Sequence, residues 1–128
     1  MANLIMVVDD DSGMLTLIDL ILGRAGFKVK TARSAREALG LLTESVPDLF
    51  LLDVMMPEMD GVELCRRLRA LPRTSTTPVV FLSAHGDRAY IEKGLTAGAT
   101  DYIAKPISNG VLVSKINSIL CTHEAQKQ

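Results

Sequence analysis

The sequence predicts a single doubly wound α/β domain in which five parallel strands alternate with five helices over 128 residues. Three observations predict it. Apolar runs without alternation recur at 4–8, 49–52 and 78–82, as expected of strands covered by helices on both faces. Between the runs lie stretches with apolar residues at helical spacing, and parallel neighbours need such crossovers because a tight turn cannot join them. Each run also stops at a polar residue, so Asp9, Asp53 and Ser83 fall at strand carboxyl ends, where open α/β sheets present groups to ligands.

Taken in order, residues 4–8 form the first strand and are followed by Asp9, Asp10 and Asp11. Ser12 is the expected cap of the first helix, which carries Met14, Leu17, Ile18, Ile21, Leu22 and Ala25 on one side and stops at Gly26. Leu15 and Leu20 are expected to flank that stripe. Residues 27–32 alternate Phe27, Val29 and Thr31 with Lys28 and Lys30, the pattern of a half-solvated edge strand. Ser34 and Glu37 have capping-box spacing for a second helix whose stripe of Ala35, Ala38, Leu39 and Leu42 leads to Pro47. The central strand covers 48–53, and Pro57 and Asp60-Gly61 then turn the chain into a third helix over 61–70. A polar loop at 73–77 precedes the fourth strand at 78–82 and a helix over 87–97 ended by Gly98. A short strand at 100–104, a last helix over 111–120 and a fraying polar tail complete the chain.

The half-polar second strand belongs at an edge. With the first and third strands central, the order is 2-1-3-4-5, a flavodoxin-like arrangement whose switch point would bring Asp9, Asp10 and Asp53 together. Residues 1–122 are expected to form the domain, with 123–128 as a polar tail or the start of a linker.

A net charge of -1, with 48% hydrophobic and 23% charged residues, argues against nucleic acid or an anionic membrane as the main partner. Cys65 and Cys121 are far apart and lack metal-ligand spacing, so both are expected to be buried reduced thiols. Neither a signal segment nor a membrane-length apolar run is visible, which predicts a cytoplasmic location. Arg66, Arg67, Arg69 and Arg73, balanced by Glu63, are expected to form a solvated basic face.

The polar residues at the strand ends suggest a chemistry. Three carboxylates at close quarters repel one another, and a hard divalent cation such as Mg2+, with Mn2+ as a substitute, relieves that repulsion. Lys105 would add a second positive charge from the far side. One carboxylate could then attack phosphorus while both cations take up charge on the transferring group, with Ser83 bonding a phosphoryl oxygen.

Four motifs carry a closer likeness: the Asp9-Asp10 pair, the segment DVMMPEMDG at 53–61, Ser83-Ala84 after an apolar strand, and DYIAKP at 101–106. Over nearly its whole length the sequence closely resembles the receiver domain of two-component response regulators. The resemblance implies that Asp53 is the phosphoacceptor and that Asp10, Asp53 and the main-chain carbonyl of Met55 hold Mg2+, with Asp9 reaching it through water. It implies that Lys105 contacts the phosphoryl group, that the bond to Pro106 is cis, and that Ser83 and Tyr102 are the switch hydroxyl and switch aromatic. The side chains of Met55 and His85 occupy positions that tune hydrolysis, although His85 reads equally as a solvated loop imidazole.

By the same resemblance a sensor histidine kinase or phosphotransfer protein supplies the phosphoryl group. The face made by the fourth helix, fifth strand and fifth helix then controls a downstream protein, a fused output domain or a homodimer. Such a phosphoprotein is a switch and not an enzyme, beyond self-phosphorylation from small donors and self-dephosphorylation. One rival is a receiver-like interaction module that is never phosphorylated. Another is a Mg2+-dependent phosphohydrolase with an aspartyl nucleophile, which would want a second aspartate where Met55 stands. A flavin binder is disfavoured because Asp9, Asp10 and Asp11 would repel the flavin phosphate.

Overall fold

The computed structural model describes residues 3–84 and 88–127, so His85 lies outside the described residues. The elements are β1 (Leu4–Val8), α1 (Ser12–Arg24), β2 (Lys28–Ala32), α2 (Ala35–Leu41) and β3 (Leu49–Asp53). They continue with α3 (Gly61–Ala70), β4 (Val79–Ser83), α4 (Arg88–Thr96), β5 (Asp101–Ala104) and α5 (Asn109–Lys127). The sheet is parallel throughout, in the order β2-β1-β3-β4-β5. That is the doubly wound, flavodoxin-like arrangement the sequence predicts.

The alternate residues of each strand serve opposite faces. Met6, Val8, Phe50, Leu52, Val79 and Phe81 pack with Ala35 and Ala38 of α2 and Val62, Leu64, Cys65 and Leu68 of α3. Ile5, Val7, Leu49, Leu51, Val80 and Leu82 pack with Leu15, Ile18 and Leu22 of α1 and Leu112, Ile116 and Leu120 of α5. Two apolar layers explain why the central strands do not alternate, and why Lys28 of edge strand β2 stays exposed. On the first face α4 approaches β4 closely at Gly94, where a Cβ would overlap the Phe81 ring.

Several local expectations are corrected. The carboxylate of Asp11 caps α1, accepting from Gly13 N at 2.9 Å and Met14 N at 3.3 Å, so Ser12 is the first helical residue and not its cap. The buried stripe of α1 contains Leu15, while Leu17 and Leu20 are 44% and 51% exposed. Helical geometry accounts for it: Leu17 lies about 100° around the helix from Ile18, and Leu15 only about 60°. Ser34 does cap α2, accepting from Glu37 N at 3.1 Å, but the helix stops at Leu41, well before Pro47.

Cys65 is buried, whereas Cys121 is exposed, because it falls one residue past Leu120 and so turns away from the stripe of Leu112, Ile116 and Leu120. Arg69 does not belong to a solvated face. It is partly buried and donates to the carbonyls of Gly98 at 2.9 Å, Thr74 at 3.1 Å and Thr77 at 2.6 Å, tying the end of α3 to two loops. Arg66 and Arg67 do form exposed pairs with Glu63. α5 runs on to Lys127, through most of the stretch expected to fray, since no proline or glycine interrupts it after Gly110. Among the described residues no helix is long and apolar enough to cross a membrane.

Candidate functional site

Parallel register delivers the ends of the strands to one edge. Val8 pairs with Leu52, Asp53 with Leu82, and Ser83 with Ala104, so Asp9, Asp53, Ser83 and Lys105 all emerge at the carboxyl ends of neighbouring strands. One carboxylate oxygen from each of Asp9, Asp10 and Asp53 lies within 4.8 Å of the others. Lys105 reaches in from β5, its Nζ 3.3 Å from Asp9 Oδ2 and 3.4 Å from Asp53 Oδ1.

The three acids are held differently. Asp9 is fully buried, and its second oxygen accepts from Asp11 N at 3.0 Å, so each of its oxygens has a protein partner. Asp53 is also buried and, among the described residues, takes its ion pair from Lys105. Asp10 is exposed and, among the described residues, makes no hydrogen bond or ion pair, which leaves its oxygens available to an incoming group. Even with Lys105 charged, three ionised carboxylates leave a cluster of about two excess negative charges.

That imbalance appears in the protonation of the site. Burial pushes the Asp53 carboxyl up to about 7, with the charge of Asp9 adding to the rise and Lys105 opposing it. Burial alone would lower the lysine, but the charges of Asp53 and Asp9 outweigh it and hold the ammonium above its usual range. The pair is therefore a protonated lysine facing a carboxylate that gives up its own proton reluctantly.

Local backbone chemistry sets these positions. Lys105 N donates to Ser83 O at 2.8 Å, and the Lys105–Pro106 bond is cis, as the resemblance implies. After Asp53 the chain loops out and returns: Val54 N bonds Leu82 O at 3.3 Å and Gly61 N bonds Val54 O at 2.9 Å. A side chain at Gly61 would overlap the main-chain carbonyl of Asp53, so only glycine lets α3 begin this close to the strand end. Within the loop Glu58 takes a φ of 68°, and Asp60 caps α3 by accepting from Glu63 N at 2.9 Å.

Asp9, Asp10, Asp53 and Lys105 thus converge, with Ser83 buried at the end of the adjacent strand β4. The side chains of Met55 and Tyr102 do not join them and face solvent. Sequence reasoning missed two supports of the cluster. The main-chain N–H of Asp11 fixes Asp9, a role without a sequence signal, while Gly61 directly after a capping Asp60 could have been read as a close-approach glycine.

The profile of the response regulator receiver domain family matches residues 5–117. The chain belongs to that family. Two transcriptional regulatory proteins are among the relatives of this receiver domain. AfsQ1 of Streptomyces coelicolor is 41% identical over 116 residues, covering 91% of this chain and 50% of that protein. CpxR of Escherichia coli is 42% identical over 118 residues, covering 92% and 49%. The chain spans about half the length of the curated relatives it matches.

Among solved structures, the signal receiver domain of a signal transduction histidine kinase from Syntrophus aciditrophicus superposes with a TM-score of 0.87 at 36% identity, covering 94% of this chain and 92% of that one. A CheY-like receiver domain protein from Methanospirillum hungatei reaches a TM-score of 0.91 at 28% identity, covering 98% and 99%. Receiver domains are signalling domains of two-component systems.

Proposed function

We propose that this receiver domain is a phosphorelay switch in which Asp53 accepts a phosphoryl group from a histidine kinase or a phosphotransfer protein. The observation that carries the reading is the meeting of three carboxylates within 4.8 Å, faced by a lysine 3.4 Å from Asp53. All the donors are hard oxygens and the cluster carries excess negative charge, so the residues fit Mg2+, with Mn2+ as a substitute. Asp10, Asp53 and the main-chain carbonyl of Met55 would hold the ion, with Asp9 contributing through water. When bound, the ion neutralises the acids and takes up charge on the phosphoryl oxygens.

Asp53 uses a carboxylate oxygen to attack phosphorus; the oxygen–phosphorus bond forms as the phosphorus–nitrogen bond to the donor imidazole breaks, and that nitrogen leaves with the electron pair. Lys105 stays fixed opposite, meeting charge on the group as it arrives. Transfer takes the side chain at position 53 from about -1 toward about -2 and adds acceptor oxygens. Ser83 donates its hydroxyl to one of them, its loop moves inward, and the Tyr102 ring turns into the space released. The face of α4, β5 and α5 thereby changes for a downstream protein, an output domain or a second copy. The side chain of Met55, exposed beside the site, and His85 tune how long the phosphoryl group survives. Residues 1–122 make up the switch, 123–127 continue α5 beyond its core residue Leu120, and the setting is cytoplasmic.

Incubation with Mg2+ and acetyl phosphate, followed by mass spectrometry, is expected to show a gain of one phosphoryl group that Asp53→Asn and chelation both abolish. No gain in the wild type would favour an interaction module that is never phosphorylated. Steady turnover of many phosphate esters would favour a hydrolase.

A further inference from the structure

Tyr102 lies on β5, the edge strand, where the outward-facing main-chain groups have no neighbouring strand to bond. Here they are bonded by one ion pair instead. Asp101 accepts from Tyr102 N through Oδ1 at 2.7 Å, while its Oδ2 lies 3.4 Å from Lys115 Nζ. Lys115 in turn donates to Tyr102 O at 3.2 Å and sits 5.7 Å from the centre of the Tyr102 ring. The N–H, the carbonyl and the ring of a single residue are thus all gripped by Asp101 and Lys115. Tyr102 is nonetheless left 41% exposed.

The grip comes from a firm base. Lys115 projects from α5 between turns anchored by Leu112 and Ile116, both fully buried. Its side chain is about one-third exposed, so the cation is partly shielded from water where it meets the ring. The second cation–ring contact differs in kind. Lys93 and Tyr90 sit three residues apart on α4, 5.3 Å from ammonium to ring, and join no two elements.

We infer that Lys115, oriented by Asp101, is a positioning residue that holds Tyr102 outward and so sets how often the resting domain samples the ring-in state. The inference rests on the reading that the Tyr102 ring moves when Asp53 is phosphorylated. A grip of this strength shifts a two-state balance by a few-fold and does not lock it. The device makes resting activity depend on a charge remote from the acidic cluster. It can be weakened without touching the phosphoacceptor chemistry.

The test follows the ring directly. Fluorotyrosine is incorporated into a Tyr90→Phe background, and the fluorine NMR signal of Tyr102 is recorded with Mg2+, before and after addition of acetyl phosphate. Resting Lys115→Met protein is expected to show its ring-in population raised about threefold over the resting reference, and to take up phosphate faster in the same proportion. Lys115→Arg, which keeps the charge and stacks on rings, is expected to match the reference. Raising salt should move the reference toward Lys115→Met and leave that variant unchanged. If Lys115→Met and the reference have equal resting populations while acetyl phosphate still turns the ring, the grip is refuted and the switch stands. If Asp53 becomes phosphorylated and the ring signal does not move, the switch reading fails and this inference with it.

Discussion

Asp53 is held in a state of electrostatic tension by residues from other strands. Without metal, burial above all pushes its carboxyl up to about 7, against an ordinary value of 3.8. Between those two values the folded chain binds more protons than the unfolded chain, so the contribution of Asp53 to stability falls as pH rises from about 4 to about 7. With chelator present, urea unfolding across that range should show this decline, and Asp53→Asn should flatten it. Above pH 7 the asparagine variant should be the more stable, by on the order of 1 to 2 kcal/mol. Because ligand oxygens must be deprotonated, Mg2+ should protect the wild type against heat more strongly at pH 8 than at pH 6, and Asp53→Asn should lose much of that difference. Equal protection at both pH values would remove the shifted carboxyl from the account.

At the scale of elements, helix starts and close approaches decide where the site residues stand. Asp11 rather than Ser12 supplies the cap of α1. Asp11→Ala should therefore cost about 1 kcal/mol in unfolding measurements, with Ser12→Ala close to neutral. Both residue types favour caps, and one position of difference cannot be resolved from their order in the sequence. Close approach is subtler. Gly61→Ala would drive a methyl group into the Asp53 carbonyl, and Gly94→Ala would drive one into the Phe81 ring. Each substitution should destabilise by about 1 to 3 kcal/mol. Only Gly61→Ala should also slow phosphoryl uptake per folded molecule, since it alone displaces the phosphoacceptor strand end. Periodicity told the strands from the helices here, yet it misplaced Leu17, and charge balance misplaced Arg69. An apolar residue at the flank of a stripe, or an arginine with loop carbonyls within reach, is settled by what packs against it.

For the whole molecule, the consequence of parallel register is that chemistry is assembled from distant parts of the chain. Lys105 and Asp9 are 96 positions apart and meet at 3.3 Å because β5 and β1 end at the same edge of one sheet. Removing that cation should therefore be felt globally. Without metal, Lys105→Ala leaves a buried Asp9 and a buried Asp53 that have each lost an ion pair. It should lower stability by on the order of 1 to 3 kcal/mol. Added Mg2+ should recover part of that loss while phosphoryl uptake stays depressed. Full recovery of uptake by metal alone would show that the lysine has no part in meeting the phosphoryl group.

The chain by itself determined the number of strands and helices, their alternation, the edge position of β2 and the polar residue at each strand end. These follow from patterns of apolar residues that are local and periodic, and that only one layered architecture can bury. What the tertiary structure decided is which of the three acids is locked and which is free, and how far the pKa of Asp53 rises. It also decided that Asp101 and Lys115 close around Tyr102. Each of these depends on distances of a few ångströms between residues remote in sequence, and both electrostatic energy and hydrogen bonding change steeply over that range.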